Sequence, residues 1–300
     1  MPLNWQKNLQ KQNYYFKLKI INNMIKKIIH TGDIHIRNLR RMEEYQEQLG
    51  KFIEECRETA EKYSADAIRI VVAGDVVHNK LDISGEGYIL ASWFLRQLDG
   101  IAKTYVIAGN HDLNMNNLGR LDPLSAIFSM CDFKQTVYLD QELNYQSGCL
   151  IDDNIVWCLY STFDNFARPN IEEIQMRRSD DDLKYVGLFH GVVKGAKTDV
   201  GYVMDNGYDV SYFDGLDFCL CAHIHKRQCL KYNGIPVVYC GSLVQQDHGE
   251  SIYNHGYLLW DVESETYVEK NINNPEHGFF TFQINNIEDL EEDRETLVNN

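Results

Sequence analysis

Five short apolar runs in this chain stop on the same kinds of residue, and that regularity limits the possible folds more than any other feature. "KKIIHTG" leads into Asp33 and His35, and "IRIVVAG" into Asp75 and His78. "KTYVIAG" leads into Asn110, His111 and Asp112, "YVGLF" into His190, and "FCLCA" into His223 and His225. Runs this short, rich in Val, Ile and Phe and lacking a polar face, read as buried strands. "IVWCLY", "PVVYC" and "GYLLWDV" read the same way. Between the first runs lie helical periods. Leu39, Met42, Tyr45, Leu49, Phe52, Ile53, Cys56 and Ala60 recur at steps of three and four, predicting an amphipathic helix over ~39–63. "GYILASWFLRQL" reads as a helix that is apolar on more than one face. Strands alternating with helices specify an α/β fold. In such a sheet the carboxyl ends of the strands form the ligand-binding edge, so the five polar clusters converge on one cleft.

The residue types set the chemistry. Three carboxylates (Asp33, Asp75, Asp112), the Asn110 amide and several imidazoles offer oxygen and nitrogen donors to divalent cations. No cysteine belongs to the set, which disfavours a structural zinc site. The donors are too many for one ion. Two ions sharing a bridging carboxylate, ~3.5–4 Å apart, are the usual arrangement, and it serves phosphate-ester hydrolysis. Each motif alone has an ordinary explanation: Asp-x-His arises by chance, "GNHD" suits a turn, and a His-x-His on a strand is often plain surface. Five such motifs, each behind a buried strand, are not an accident.

The rest of the chain narrows the setting. Its 300 residues fit one large domain with a small appendage. A net charge of -15 argues against nucleic-acid binding over the whole surface but leaves room for a local basic groove. The eight cysteines mostly lie in apolar or strand-like segments without zinc-module spacing, and no signal peptide is expected. Free thiols in a reducing, intracellular (cytoplasmic) compartment are expected. Residues 1–24 form a basic extension, expected to be disordered, and "NNIEDLEEDRE" closes the chain with acid.

Asp33-x-His35, "GDVVH" (74–78), "GNHD" (109–112), "FHG" (189–191) and "HIH" (223–225) resemble the five motifs of the calcineurin-like metallophosphoesterases. In detail they resemble the SbcD-type nuclease subunits of double-strand-break repair, above all the phage-encoded branch. That branch carries a His three residues after the bridging Asp, where protein phosphatases carry a pattern ending in Arg-Gly. It also carries the "YCGSLVQQDHGE…NHGYLLWDV" type of block seen at 239–262. The resemblance covers roughly residues 25–265, and Ala222 departs from the family's usual Gly.

The resemblance implies a four-layer αββα sandwich of two mixed sheets over residues 25–265. A short, incomplete C-terminal capping region over 266–300 would follow, its first part read as two strands that, having no partner sheet of their own, should lean on the main domain or remain partly disordered. It implies that Asp33, His35, Asp75 and His225 hold one ion, and that Asp75, Asn110, His190 and His223 hold the other. The ions would be Mn2+ and the activity exo- or endonucleolytic cleavage of DNA. The partners would be DNA, an SbcC-like ATPase and a second copy of the chain. His111 beside Asn110 is the candidate general acid, with Asp112 orienting its ring and His78 contacting phosphate. Arg37, Arg40 and Arg41, Lys194 and Lys197, and Lys226 and Arg227 each begin within a few residues of a ligand and are candidate DNA contacts. A phosphatase or cyclic-nucleotide phosphodiesterase, or a non-catalytic repair scaffold, are the competing readings.

Overall fold

The structure is a computed structural model that describes residues 24–79, 82–177, 183–274 and 276–279. The basic stretch 1–23 and the acidic end, 280–300, lie outside the described residues, and with them the expectations of a disordered arm and an incomplete cap.

In chain order the strands are β1 (Lys27–Thr31), β2 (Ile68–Val72), β3 (Thr104–Val106), β4 (Thr136–Tyr138), β5 (Gly148–Asp152) and β6 (Ile155–Tyr160). Then come β7 (Lys184–His190), β8 (Phe218–Ala222), β9 (Gln228–Tyr232), β10 (Ile235–Tyr239), β11 (Gly256–Asp261) and β12 (Thr266–Asn271). The helices are α1 (Met42–Tyr63), α2 (Gly85–Asp99), α3 (Pro123–Met130), α4 (Leu139–Glu142) and α5 (Ile171–Arg177). Two six-stranded sheets result, ordered β12-β11-β1-β2-β3-β4 and β5-β6-β7-β8-β10-β9. Both are mixed: in the first, β1 to β4 run parallel out to one edge and β11 and β12 pair antiparallel at the other, while in the second, β6, β7, β8 and β10 run parallel at the centre between antiparallel β5 and β9.

Side-chain alternation along the strands builds the layers. Ile28, Val71 and Ala73 face the second sheet and meet Trp157, Leu220 and Trp260, while Ile29, Ile70 and Val72 face α1 and α2. A strand buried on both faces has no polar side, which is why these runs are apolar throughout. The outer face of the second sheet carries Cys158, Phe189, Cys219 and Cys221 under loops and short helices. The layer order of the αββα sandwich therefore holds, with long helices on one outer face only. Arg69 of β2 and Asp152 of β5 tie the sheets by a buried ion pair (2.5 Å).

Several boundaries differ from expectation for local reasons. The first helix begins at Met42 because Leu39 and Arg41 take left-handed backbone (φ 52° and 56°). α2 is capped by the Ser84 hydroxyl, which accepts from Gly87 N (3.2 Å), and α3 by Asp122 followed by Pro at the first helical position. Leu90, Ala91, Phe94, Leu95 and Leu98 of α2 are buried, and Tyr88 and Trp93 pack at the flanks. Ile89 alone of its large apolar residues stays open, at 72% exposed. The segment "TYVEKN" leans on the main domain as β12, pairing with β11 over its whole length and carrying the first sheet through Asn271.

Candidate metal centre

The loops after β1 and β2 continue side by side beyond the sheet. Asp33 N donates to Gly74 O (3.0 Å), His35 N to Asp75 O (2.8 Å), Ile36 N to Val76 O (3.0 Å) and His78 N to Ile36 O (3.0 Å). This zipper sets Asp33, His35 and Asp75 together. All three have left-handed backbone (φ 49°, 52° and 52°), and so does His223 (φ 100°). Such conformations cost about 1–3 kcal/mol each in residues other than Gly and cluster where function demands them. β8 ends at Ala222, and the turn at His223 aims the His pair into the cleft; regular strand alternation does not. Ala222 fits because Gly32 faces it: a Cβ on Gly32 would lie 2.8 Å from the Ala222 methyl.

Two glycines let the loops close. A Cβ on Gly74 would lie 2.5 Å from His190 Nδ1, and one on Gly109 would lie 2.1 Å from Asp75 Oδ1. Gly109→Ala is expected to cost at least about 1–3 kcal/mol, as overpacking does. It should also weaken metal binding, because the atom displaced is a carboxylate oxygen of the centre. Thermal unfolding with and without added Mn2+ checks both effects.

The expected ligands fall into two groups. In one, the donor atoms of Asp33, His35 and His225 all lie within 4.8 Å of one another; in the other, those of Asp75, His190 and His223 do. Asp75 Oδ2 stands between them, 3.1 Å from His190 Nε2 and 3.5 Å from His35 Nε2. Asn110 joins the second group, its Oδ1 2.7 Å from His223 Nδ1. A third set, His35, His78 and His111, adjoins the first. His190 Nε2 is buried and makes no aligned hydrogen bond, although Asp75 is so near. The Nε2 atoms of His35 and His225 face each other at 3.1 Å. Carboxylate and imidazole donors converging this closely suit divalent cations between them.

The charges reflect this crowding. Burial alone would lower His190 and His225, but the Asp75 charge beside His190 and the Glu250 hydrogen bond to His225 overcome it, and both rings stand at about 9. Burial pushes His223 down to about 3 and His78 to about 4. Burial and the neighbouring Asp75 push Asp112 up to about 8. Without metal, the raised His190 and His225 contribute stability that is complete below the free imidazole value near 6.5 and is lost as pH rises through about 9. Cations need the same lone pairs unprotonated. Metal affinity should therefore climb between pH ~6.5 and ~9, with about two protons released per two ions bound near neutrality. Calorimetric Mn2+ titrations in buffers of different ionisation enthalpy measure the count, and binding without proton release would contradict it.

Other expectations are corrected. Asp112 does not touch the His111 ring. Its carboxylate accepts from the backbone N–H groups of Val77 (3.0 Å), Gly109 (2.9 Å) and Val76 (3.3 Å), latching one loop to another. The His111 ring is fixed instead by its Nδ1, which donates to His78 O (2.7 Å), and it stacks on His78 at 5.0 Å. Arg227 is withdrawn from the cleft: its guanidinium binds Cys240 O, Lys270 O and Asn271 Oδ1, holding β12 in place, and only 5% of its side chain is exposed. Lys226 faces Asp199 at 3.7 Å. Arg37 and Arg41 donate to the backbone carbonyls of Gln246 and Gln245. Arg40, Lys194 and Lys197 are exposed. Two residues went unread in the sequence. Asp140 props the "GNHD" loop by accepting from Ala108 N (2.8 Å), and Glu250 accepts from His225 Nδ1 (2.5 Å).

Comparison with known proteins agrees with this geometry. The family described as calcineurin-like phosphoesterase matches residues 26–227. An uncharacterized protein of Acanthamoeba polyphaga mimivirus is 35% identical over 265 residues, 87% of this chain and 19% of that one. The uncharacterized metallophosphoesterase YhaO of Bacillus subtilis is 25% identical over 196 residues, 64% of this chain and 45% of that one. The chain thus spans less than half the length of either of these relatives. Among solved structures, a putative 5'-nucleotidase from Staphylococcus aureus aligns with 88% of this chain and 56% of its own, at 14% identity and a TM-score of 0.45. No helix among the described residues is long and apolar enough to cross a membrane.

Proposed function

Since the chain belongs to the calcineurin-like phosphoesterase family, we propose that it is a two-metal phosphodiesterase whose substrate is DNA, a nuclease of the SbcD type. The observation that carries the two-metal part is the position of Asp75 between the two donor groups. Two divalent ions held there would supply Lewis-acid polarisation of a phosphoryl group. The chain's own residues do the rest. Asp33, His35 and His225 would hold one ion, Asn110, His190 and His223 the other, and Asp75 both. The donor mix suits manganese better than magnesium. His111 has its Nδ1–H engaged on a backbone carbonyl, so in its imidazolium form Nε2–H is the proton that would pass to a leaving oxygen, leaving the neutral ring with its proton on Nδ1. His78, stacked on it and three residues after Asp75, would meet the phosphate. The DNA part rests on that His78 and on the 239–262 block, which wraps the centre through Glu250.

The withdrawal of Arg227 favours a second reading, hydrolysis of small phosphodiesters or nucleotides, because it removes a cation from the proposed DNA groove. Role in recombination or repair, docking of an SbcC-like ATPase and a homodimer formed through α2 and α3 belong to the first reading. Exposed Ile89, Leu121 and Met130 are the surface such a dimer would cover.

Mn2+-dependent digestion of end-labelled duplex DNA, run beside bis-p-nitrophenyl phosphate and its monoester, separates the two. Cleavage of the small diester without any DNA cleavage would sink the nuclease reading. Preference for the monoester would sink the nuclease reading and narrow the second reading to nucleotide monoesters.

A further inference from the structure

We infer that Glu250 is a positioning residue that fixes the ring of His225 and thereby controls the occupancy of one metal position and not the other. The inference rests on the two-metal reading above and names a residue outside its ligand set. Glu250 lies on the loop that follows β10, and its carboxylate is 8% exposed. One oxygen accepts from His225 Nδ1 at 2.5 Å. The other accepts from Gln246 N (2.8 Å) and from the Ser242 hydroxyl (3.2 Å). The carboxylate is thus itself held on two sides before it holds the ring.

The chemistry of the contact is directional. An ionised carboxylate only accepts, so the proton of a neutral His225 sits on Nδ1 and the lone pair is on Nε2. Nε2 is the atom that faces His35 Nε2 at 3.1 Å and Asp33 Oδ1 at 3.9 Å. A second partner of this kind commonly sets the tautomer and basicity of a ligating histidine, and its loss costs about 10–100-fold in metal affinity.

The second donor group is supported differently. His190 Nδ1 donates to the backbone carbonyl of Ala73, just past β2, at 2.7 Å. No side chain of the 241–255 loop takes part in that contact. One position therefore depends on a side chain from a loop, and the other on the backbone end of a central strand. Removing Glu250 should loosen the Asp33–His35–His225 position and leave the Asp75–His190–His223 position near its normal affinity.

The test is Mn2+ binding to the metal-free full chain by calorimetry, with electron paramagnetic resonance reporting whether bound Mn2+ is paired or isolated. Wild type should bind two ions and show a coupled pair. Glu250→Ala should bind one ion within about threefold of wild type and the other about 10–100-fold more weakly, giving an isolated Mn2+ signal at limiting metal. Glu250→Gln keeps an oxygen acceptor for Nδ1–H and should retain the second ion. Ser242→Ala removes a loop contact without touching His225 and should also retain it. Two ions bound normally by Glu250→Ala would overturn the inference. So would equal weakening of both ions, or the same loss in Ser242→Ala and Glu250→Gln, since those results mark a role in loop folding alone. A wild-type protein that binds fewer than two ions would overturn the two-metal reading, and this inference with it.

Discussion

Asp75→Ala is expected to lose both metal ions and diesterase activity together. Asp75 reaches both donor groups more closely than Asp33 does: its Oδ2 lies 3.1 Å from His190 Nε2 and 3.5 Å from His35 Nε2, against 4.0 Å from Asp33 Oδ1 to His190 and 3.9 Å to His225, while Asp75 Oδ1 accepts from His111 N at 2.7 Å. Lewis-acid catalysis contributes several kcal/mol, so its removal should lower the rate by at least about three orders of magnitude. Loss of folding is the alternative cause of such a result, and Asp75→Asn separates the two. Asparagine tolerates left-handed backbone better than most residues, and its side-chain oxygen keeps the bond from His111 N. It also relieves the repulsion among Asp33, Asp75 and Asp112 in the metal-free protein, where the Asp75 charge contributes to raising both neighbours. It loses as well the attraction between Asp75 and His190, so metal-free Asp75→Asn should melt below metal-free wild type but still unfold cooperatively, while elemental analysis shows the ions weakened or gone. Two full equivalents of metal in purified Asp75→Ala would overturn the bridging assignment.

The convergence of the five motifs was legible in sequence because buried strands carry no polar side chains until they end. A run such as "IRIVVAG" announces both the strand and the edge at which its polar residues emerge. What stayed hidden was whatever depends on distant partners. Arg227 follows His225 closely in sequence and so looked like a phosphate contact, yet its hydrogen bonds run to Lys270 and Asn271 on a strand more than forty residues away. What the sequence does not show is what holds β12 at the edge: Tyr267 packs on Trp260, and the arginine that binds its backbone carries no marker in the sequence. Asp112 was near enough to His111 to suggest a ring partner, but a carboxylate beside three backbone N–H donors from two loops binds those instead. Glu250 had no periodicity to reveal it. Left-handed backbone at Asp33, His35, Asp75 and His223 was also invisible, since only glycine announces it by residue type; the first three hold it through the zipper of loop hydrogen bonds, and His223 through its N–H on the Asp33 carboxylate.

His111→Ala should leave both metals in place and still slow the hydrolysis of DNA by about two or more orders of magnitude, the scale of general acid–base catalysis. The backbone N–H of residue 111 would still reach Asp75 Oδ1, so the bridging carboxylate keeps its orientation. What disappears is the ring stacked on His78 and its unengaged Nε2. A structural role and a proton-donating role predict different dependence on the leaving group. Nitrophenolate departs without a proton, whereas the alkoxide of a nucleotide needs one. If His111 supplies that proton, the variant should cleave bis-p-nitrophenyl phosphate within about tenfold of wild type while losing at least about a hundredfold on DNA or on a dinucleotide. The alkaline limb of the wild-type pH profile for the alkoxide leaving group should vanish in the variant as well. Equal losses on both kinds of substrate, with the metals retained, would show that the ring only props His78. Full activity on DNA would remove His111 from the chemistry altogether.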